Sequence, residues 1–284
     1  MPKIIKQCYR DKTEQGSRHL FRFIMLTLLA ESKTMASNQS EISPDLFKQH
    51  TPVLENIADS IMEYLASLPI NEISKNLGIS NQLAIKAHNF AYEFPHKVTG
   101  IRALKAFIGE AYRALDVNSL PEEVFLNIDD KLKIISSVYG ILNPSDIIKP
   151  YRSEFNKPIS ADNNTAIQIF KPKVTIEFVK FIKENKVSEI IDLLPADADK
   201  CLDWKIIRAF ASVQKICFQV FSNQGKLKTP IASRLKELRG LMARNILANN
   251  ITSFDLLKSM ETEHYVFSPE YSKTGLPVFI ASEK

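Results

Sequence analysis

Glycine is scarce in this chain, 8 among 284 residues, and tryptophan occurs once. No Walker loop and no dinucleotide glycine fingerprint is present, so the two commonest glycine-built phosphate cradles are excluded. The three cysteines, Cys8, Cys201 and Cys217, are odd in number, scattered and without CxxC spacing. That argues against a disulfide scaffold and a zinc site, and for reduced thiols in a cytosol, so a cytoplasmic location is expected. The five histidines, His19, His50, His88, His96 and His264, are equally dispersed, with neither HxxH nor triad spacing. No catalytic residue, metal ligand or cofactor is therefore assigned. Repeats and low-complexity tracts are missing too, and 45% hydrophobic with 24% charged residues describes an ordinary globular chain. The longest apolar run, around LFRFIMLTLLA, is interrupted by Arg22, followed directly by Glu31, and shorter than the roughly 20 residues of a membrane span.

Charge is informative by placement. Residues 1–24 hold six basic side chains against two acidic ones, so four of the five net positive charges lie there. Within 205–244, nine bases (Lys205, Arg208, Lys215, Lys226, Lys228, Arg234, Lys236, Arg239 and Arg244) face only Glu237. Such local clustering, rather than net charge, is what an anionic partner would meet.

The densest stretch is 131–155, KLKIISSVYGILNPSDIIKPYRSEF. Leu132, Ile135, Val138 and Leu142 recur at three- and four-residue spacing, which predicts a helix capped by Asp129 or Asp130 and ending near Gly140. Pro144 forbids continuation, and an extended run then leads to Pro150, Tyr151 and Arg152. An arginine framed in this way beside an aromatic ring offers a donor fork for carboxylate or phosphate; pairing with Glu154 or Asp146 is the plainer structural reading.

Through Val138-Tyr139-Gly140, Leu142-Asn143-Pro144 and Pro150-Tyr151-Arg152, this stretch resembles the signature of the YaaA family of bacterial cytosolic peroxide-stress proteins. The likeness runs with gaps from about Met25 to about Ser282, giving a YaaA-like domain over 25–284 behind a basic extension, 1–24. Family members carry serine-proline-alanine-lysine-threonine after the first strand, and here Lys33 and Thr34 match. Phe107, Gly109, Glu110 and Tyr112 fit a further family pattern, as do Lys236, Arg239, Gly240 and Met242, while Tyr265 and Phe267 fit an aromatic strand. Departures occur where the family has tryptophan-glycine-aspartate and asparagine-leucine-alanine-serine-x-glutamate-tyrosine. This chain has Phe170-Lys171-Pro172-Lys173 and Asp192 to Ala198 instead, which removes a serine and a glutamate from any polar pocket.

Elsewhere the pattern predicts a buried strand at Met25–Leu29 whose carboxyl end presents Lys33 and Thr34, where an open α/β sheet places its ligand. Helices are expected over 44–67, 101–115, 175–184 and 230–248, and strands over 189–194, 215–221 and on either side of Lys273-Thr274-Gly275. Residues 67–90 read as two short helices about a Gly78-Ile79-Ser80 turn. They look like a helix-hairpin-helix, flanked by Lys75 and Lys86, with Ser80 replacing the second hairpin glycine. Gly140 and Gly240 stand out among the few glycines. The latter, inside a helix at a cost of about 1 kcal/mol relative to alanine, signals close approach by another element or a ligand.

The expected fold is mixed α/β, a single compact domain with a central sheet surrounded by helices and the helical hairpin as an appendage. The preferred function is a cytosolic stress protein that binds DNA largely without sequence specificity, through Lys33, Thr34, Lys75, Gly78, Ser80, Lys86, Tyr151, Arg152, Lys236, Arg239 and Arg244. The family resemblance implies a role in limiting iron-driven oxidative damage. Two alternatives stand beside it: an enzyme or binder of a small anionic metabolite, and a diverged interaction protein whose cleft is filled by Leu194, Pro195 and Ala198.

Overall fold

The computed structural model describes residues 24–36, 51–97, 99–260 and 262–282. The basic extension, Cys8 and the expected helix start at Ser43 to Asp45 lie outside the described residues.

Strand β1, Ile24–Ala30, is apolar on both faces and takes the middle of a five-stranded sheet. A strand covered on both sides reads as an unbroken hydrophobic run, as this one does. β1 is flanked by β3 (Leu132–Ser136) and β6 (Val187–Asp192), both parallel to it. β4 (Gly140–Leu142) closes one edge antiparallel to β3, and β7 (Ser212–Lys215) closes the other parallel to β6. A two-stranded pair joins β2 (Ile101–Arg102) to β5 (Ile147–Ile148). A second sheet, in the order β10-β11-β8-β9, uses β8 (Cys217–Phe221), β9 (Leu227–Lys228), β10 (Tyr265–Lys273) and β11 (Leu276–Ala281).

Between β1 and β3 the chain builds α1 (Glu55–Ser67), α2 (Ile70–Leu77), α3 (Asn81–Glu93) and four short helices, α4 (Ala103–Ala106), α5 (Glu110–Leu115), α6 (Glu122–Phe125) and α7 (Ile128–Lys131). The long α8 (Ala166–Asn185) crosses from β4 to β6. After α9 (Trp204–Ile207) comes α10 (Ala232–Ala248), which packs on α5 and reaches β1; α11 (Phe254–Lys258) precedes the last hairpin. One continuous apolar cluster, including Leu26, Leu28, Ile134, Ile190, Phe170 and Phe178, joins sheet and helices. The mixed α/β architecture with a central sheet surrounded by helices is the one expected, and the sheet is mostly parallel.

Several elements differ from the sequence pattern. Residues 132–142 form the hairpin β3–β4, not a helix. Leu132, Ile134, Ile135, Ile141 and Leu142 are buried between layers, so the apolar residues fall on both faces and mimic helical spacing. Gly140 is the hairpin's own glycine: at φ +74° it opens β4, and a Cβ there would meet Phe170 Cδ1 at 2.7 Å and Leu54 Cδ1 at 2.9 Å. The expected helix 101–115 breaks at Phe107–Gly109, because Ala36 N–H bonds Ala106 O and Ile108 N–H bonds Thr34 O, tying this segment to the chain leaving β1. α1 starts only at Glu55, after Pro52. α8 starts nine residues before the expected position, fixed by a capping box between Thr165 and Gln168 that outweighs the one backbone bond lost at Pro172. The expected strand 215–221 is two strands, since the chain changes sheets at Ile216.

Beyond β4, Asp146 closes the turn by accepting from Asn143 N–H at 2.8 Å and Asn143 Nδ2 at 3.1 Å. Burial lifts its pKa from 3.8 to about 6, with these bonds opposing the rise. The folded state therefore holds this proton more tightly than the unfolded chain, and the stability so gained is lost as pH rises from about 4 through about 6. Thermal melts across that window are expected to show a shallower decline for Asp146→Asn than for the parent. Identical slopes would contradict the assignment.

Candidate anion-binding site

The connections from β1 and β6 leave in opposite directions, β1 towards β3 and β6 towards β7, so their carboxyl ends part into a crevice. Open α/β sheets hold their ligands at such a switch point. The ladder continues one step past each strand, with Glu31 N–H donating to Ile135 O at 2.9 Å and Leu193 N–H to Leu28 O at 3.2 Å. Beyond lies a cavity of about 460 Å³. Glu31 to Thr34 border it after β1, Gly109 to Arg113 at the start of α5, and Ser153 to Phe155 from the central stretch. Leu193, Pro195 and Asp197 follow β6, and Lys236 and Arg239 come from α10.

The loop after β1 is held close to α5. A Cβ on Gly109 would sit 2.1 Å from Ser32 Oγ, which itself accepts from Thr34 N–H at 3.1 Å. Arg152 Nη1 donates to Lys33 O at 3.1 Å, while its buried Nε has no hydrogen-bond partner among the described residues. Lys33 pairs with Glu154 at the rim. Thus Arg152 braces the loop that carries Lys33, and the expected structural pairing of Arg152 with Glu154 or Asp146 is replaced by Lys33 with Glu154.

At the floor, Glu31 accepts Ser137 Oγ–H at 2.6 Å, Ser137 N–H at 2.9 Å and the hydroxyl of buried Tyr151. Because Tyr151 donates to Glu31, its oxygen is left to accept from Ser136 Oγ–H at 2.7 Å. Burial raises the Glu31 pKa, and the bonds from Ser137 and Tyr151 hold it back. Tyr151 stacks edge-on against Tyr139 and Phe107, so its ring belongs to the core and only its hydroxyl bears on the site.

Arg239 is half-buried and, among the described residues, forms no ion pair. Burial lowers its pKa, and Asp192 and Asp197 oppose that shift from a distance. Lys236 reaches Glu110 only at 3.9 Å, with both side chains exposed, a pair of little energetic weight. Three of the lining carboxylates are engaged, Glu31 with Ser137 and Tyr151, Glu154 with Lys33, and Asp197 with Ala198 N–H at 3.0 Å. The arrangement can coordinate an anion entering from the carboxyl ends of the strands.

Of the residues picked from sequence, Lys33, Thr34, Lys236 and Arg239 share this cavity, and Arg152 and Tyr151 stand behind its wall. Arg244 is elsewhere, donating to Leu115 O and Asp116 O at 3.0 Å where it joins α10 to the end of α5. Lys75, Gly78, Ser80 and Lys86 lie on the α2–α3 hairpin, in which Gly78 is left-handed and Ser80 caps α3 through Leu83 N–H. Lys157 packs against that turn, its Nζ 3.3 Å from where a Gly78 Cβ would stand. Leu194 and Ala198 are buried in the core, and Leu193 and Pro195 line the cavity without filling it. Glu31, Arg113, Ser153 and Asp197 were not singled out as site residues. Only Glu31 carried a signal, as the first polar residue after the central strand. Among the described residues no group of His, Cys, Asp and Glu is arranged to hold a metal ion, and no helix is long and apolar enough to cross a membrane.

The chain is similar to known proteins over most of its length. A family model described as peroxide stress protein YaaA matches residues 25–271. Similar curated proteins include a UPF0246 protein of Bacteroides fragilis, 30% identical over 90% of this chain and 98% of its own length. Others are UPF0246 proteins of Parabacteroides distasonis, 26% identical over 90% and 99%, and of Shewanella woodyi, 27% identical over 91% and 100%.

Proposed function

Because the chain belongs to the peroxide stress protein YaaA family, we propose that it acts in peroxide stress by binding DNA, its cavity cations meeting phosphate oxygens and the bound protein limiting iron-driven damage. The observation that carries this is Arg239: a half-buried guanidinium with no ion pair among the described residues, beside Lys236 and Lys33 in one crevice. Asp192 and Asp197 offset its desolvation only from a distance, and a phosphate supplies the direct partner that burial calls for. The helical hairpin supports the same reading. Phe155 lines the cavity, and Lys157, two residues further on, places its Nζ against the Gly78 turn.

DNA affinity is expected to fall steeply between about 50 and 200 mM salt. Arg239→Ala should weaken binding at every sequence tested and reduce the log–log salt slope by about one. Affinity indifferent to salt, or to Arg239, would reject the reading. A small anionic metabolite is the second reading, favoured by the cavity's size. Free mononucleotide that protects the protein from heat, while DNA does not, would select it.

A further inference from the structure

A second trough, of about 930 Å³, adjoins the cavity and shares a wall with it. Glu110 and Arg113 on α5 border both, and along α10 Ser233 and Glu237 face the trough while Lys236 and Arg239 face the cavity. From Ser233 to Arg239 the helix rises only about 9 Å, so the two openings are neighbours along one helix. The far side of the trough comes from the second sheet: Phe221 at the end of β8, Lys228 on β9, and Ile231 beyond it.

The chemistry of this trough differs from the cavity's. Phe221 is 41% exposed and Ile231 74% exposed, with the ring of Tyr271 6.4 Å from Phe221 and edge-on to it. Arg113 and Lys228 are exposed and, among the described residues, form no ion pair, whereas Arg234 is committed to Glu237 at 2.9 Å. Uncommitted cations around an exposed aromatic face are the two ingredients by which proteins hold single strands: the cations track the backbone, and the ring stacks a base. In a duplex each base face is covered by its neighbours, so a ring such as Phe221 can serve only an unpaired base.

Resting on the nucleic-acid reading above, we propose that the trough binds single-stranded nucleic acid, with a base stacked on Phe221, phosphates against Arg113 and Lys228, and the strand continuing into the cavity towards Arg239. The single strand is therefore the preferred form of the ligand, and a duplex makes no use of the trough.

The test is fluorescence anisotropy of the full chain with a labelled oligothymidylate and with a duplex of equal length. The parent should prefer the single strand by about tenfold, and Phe221→Ala should remove that preference while leaving duplex affinity unchanged. Phe221→Trp should keep it, which separates stacking from any general damage to the hairpin. Lys228→Ala should weaken single-strand binding and its salt dependence. Single-strand affinity unaltered by Phe221→Ala, an equal loss on duplex, or Phe221-dependent binding of polyglutamate without binding of oligothymidylate would each overturn the proposal. If duplex still binds through Arg239 in those cases, only the single-strand claim falls. If the parent binds neither oligonucleotide, the DNA reading falls with it.

Discussion

Gly240→Ala is expected to destabilise the protein by about 2 kcal/mol or more, although the same change in an exposed helix would stabilise it by about 1 kcal/mol. The reason is the crossing of α10 over α5. A Cβ on Gly240 would stand 1.9 Å from Ala111 O and 2.7 Å from its carbonyl carbon. Those are backbone atoms, which cannot rotate aside as a side chain can. The helices must therefore separate, and the buried neighbours Leu238, Met242 and Leu115 lose contact together. Urea unfolding should show a lower midpoint with an unchanged slope. Because α10 carries Lys236 and Arg239 and α5 carries Glu110 and Arg113, the same displacement widens the cavity, so weaker anion binding should accompany the lost stability. Gly225→Ala is the comparison: it has the left-handed φ of +72° but nothing within 4 Å, so only the backbone penalty of about 1 kcal/mol applies. A Gly240→Ala protein as stable as the parent would show that α5 and α10 do not pack this closely.

The sequence pattern was most legible where a segment has one wet face or no wet face over a long stretch. β1 read correctly as a buried strand because nothing polar interrupts Met25 to Leu29 except Thr27, which is itself fully buried. α10 read correctly because its basic residues and its buried Leu238, Met242 and Ile246 alternate at helical spacing. The β3–β4 hairpin is covered on both faces too, but its strands have only five and three residues and carry buried Lys133 and Ser136, so no long apolar run marks them and the apolar positions fall at helical spacing by chance. The site followed the same logic. Gly240 pointed to a close approach, and Ala111 is what approaches. Lys33, Lys236 and Arg239 meet because β1 is central and α10 touches it, a consequence of strand order that no local spacing contains. The commitments of the acids were equally hidden: nothing in the sequence shows that Glu31 spends its acceptors on Ser137 and Tyr151 rather than on Arg239.

Lys215→Met is expected to cost about 3 kcal/mol at about pH 8 and less than half of that near pH 5. Lys215 Nζ sits 2.8 Å from Asp192 Oδ2 and also bonds Asp199, at the point where the chain leaves the first sheet for the second. Asp192 is 1% exposed at the end of β6, its other oxygen accepting Leu194 N–H at 2.8 Å. Burial lifts its pKa to about 6 even with the lysine opposing that rise, while the two carboxylates outweigh burial at Lys215 and raise its pKa. Removing the lysine takes away the chief influence favouring the ionised form, so the Asp192 pKa must climb further. Since the folded pKa then lies well above the unfolded value of 3.8, the variant is least penalised below about pH 4 and loses stability as pH rises through that higher pKa. Methionine keeps the apolar stem, so packing is largely preserved and the effect isolates charge. Adding Asp192→Asn to Lys215→Met should restore most of the stability and abolish its pH dependence, because the amide oxygen still accepts Leu194 N–H without a charge. Were Lys215→Met equally destabilised at both pH values, or the double variant no more stable than the single one, the pair would be contributing packing alone. Leu193 to Asp197, the wall of the cavity facing Arg239, would then not depend on the ion pair at their root.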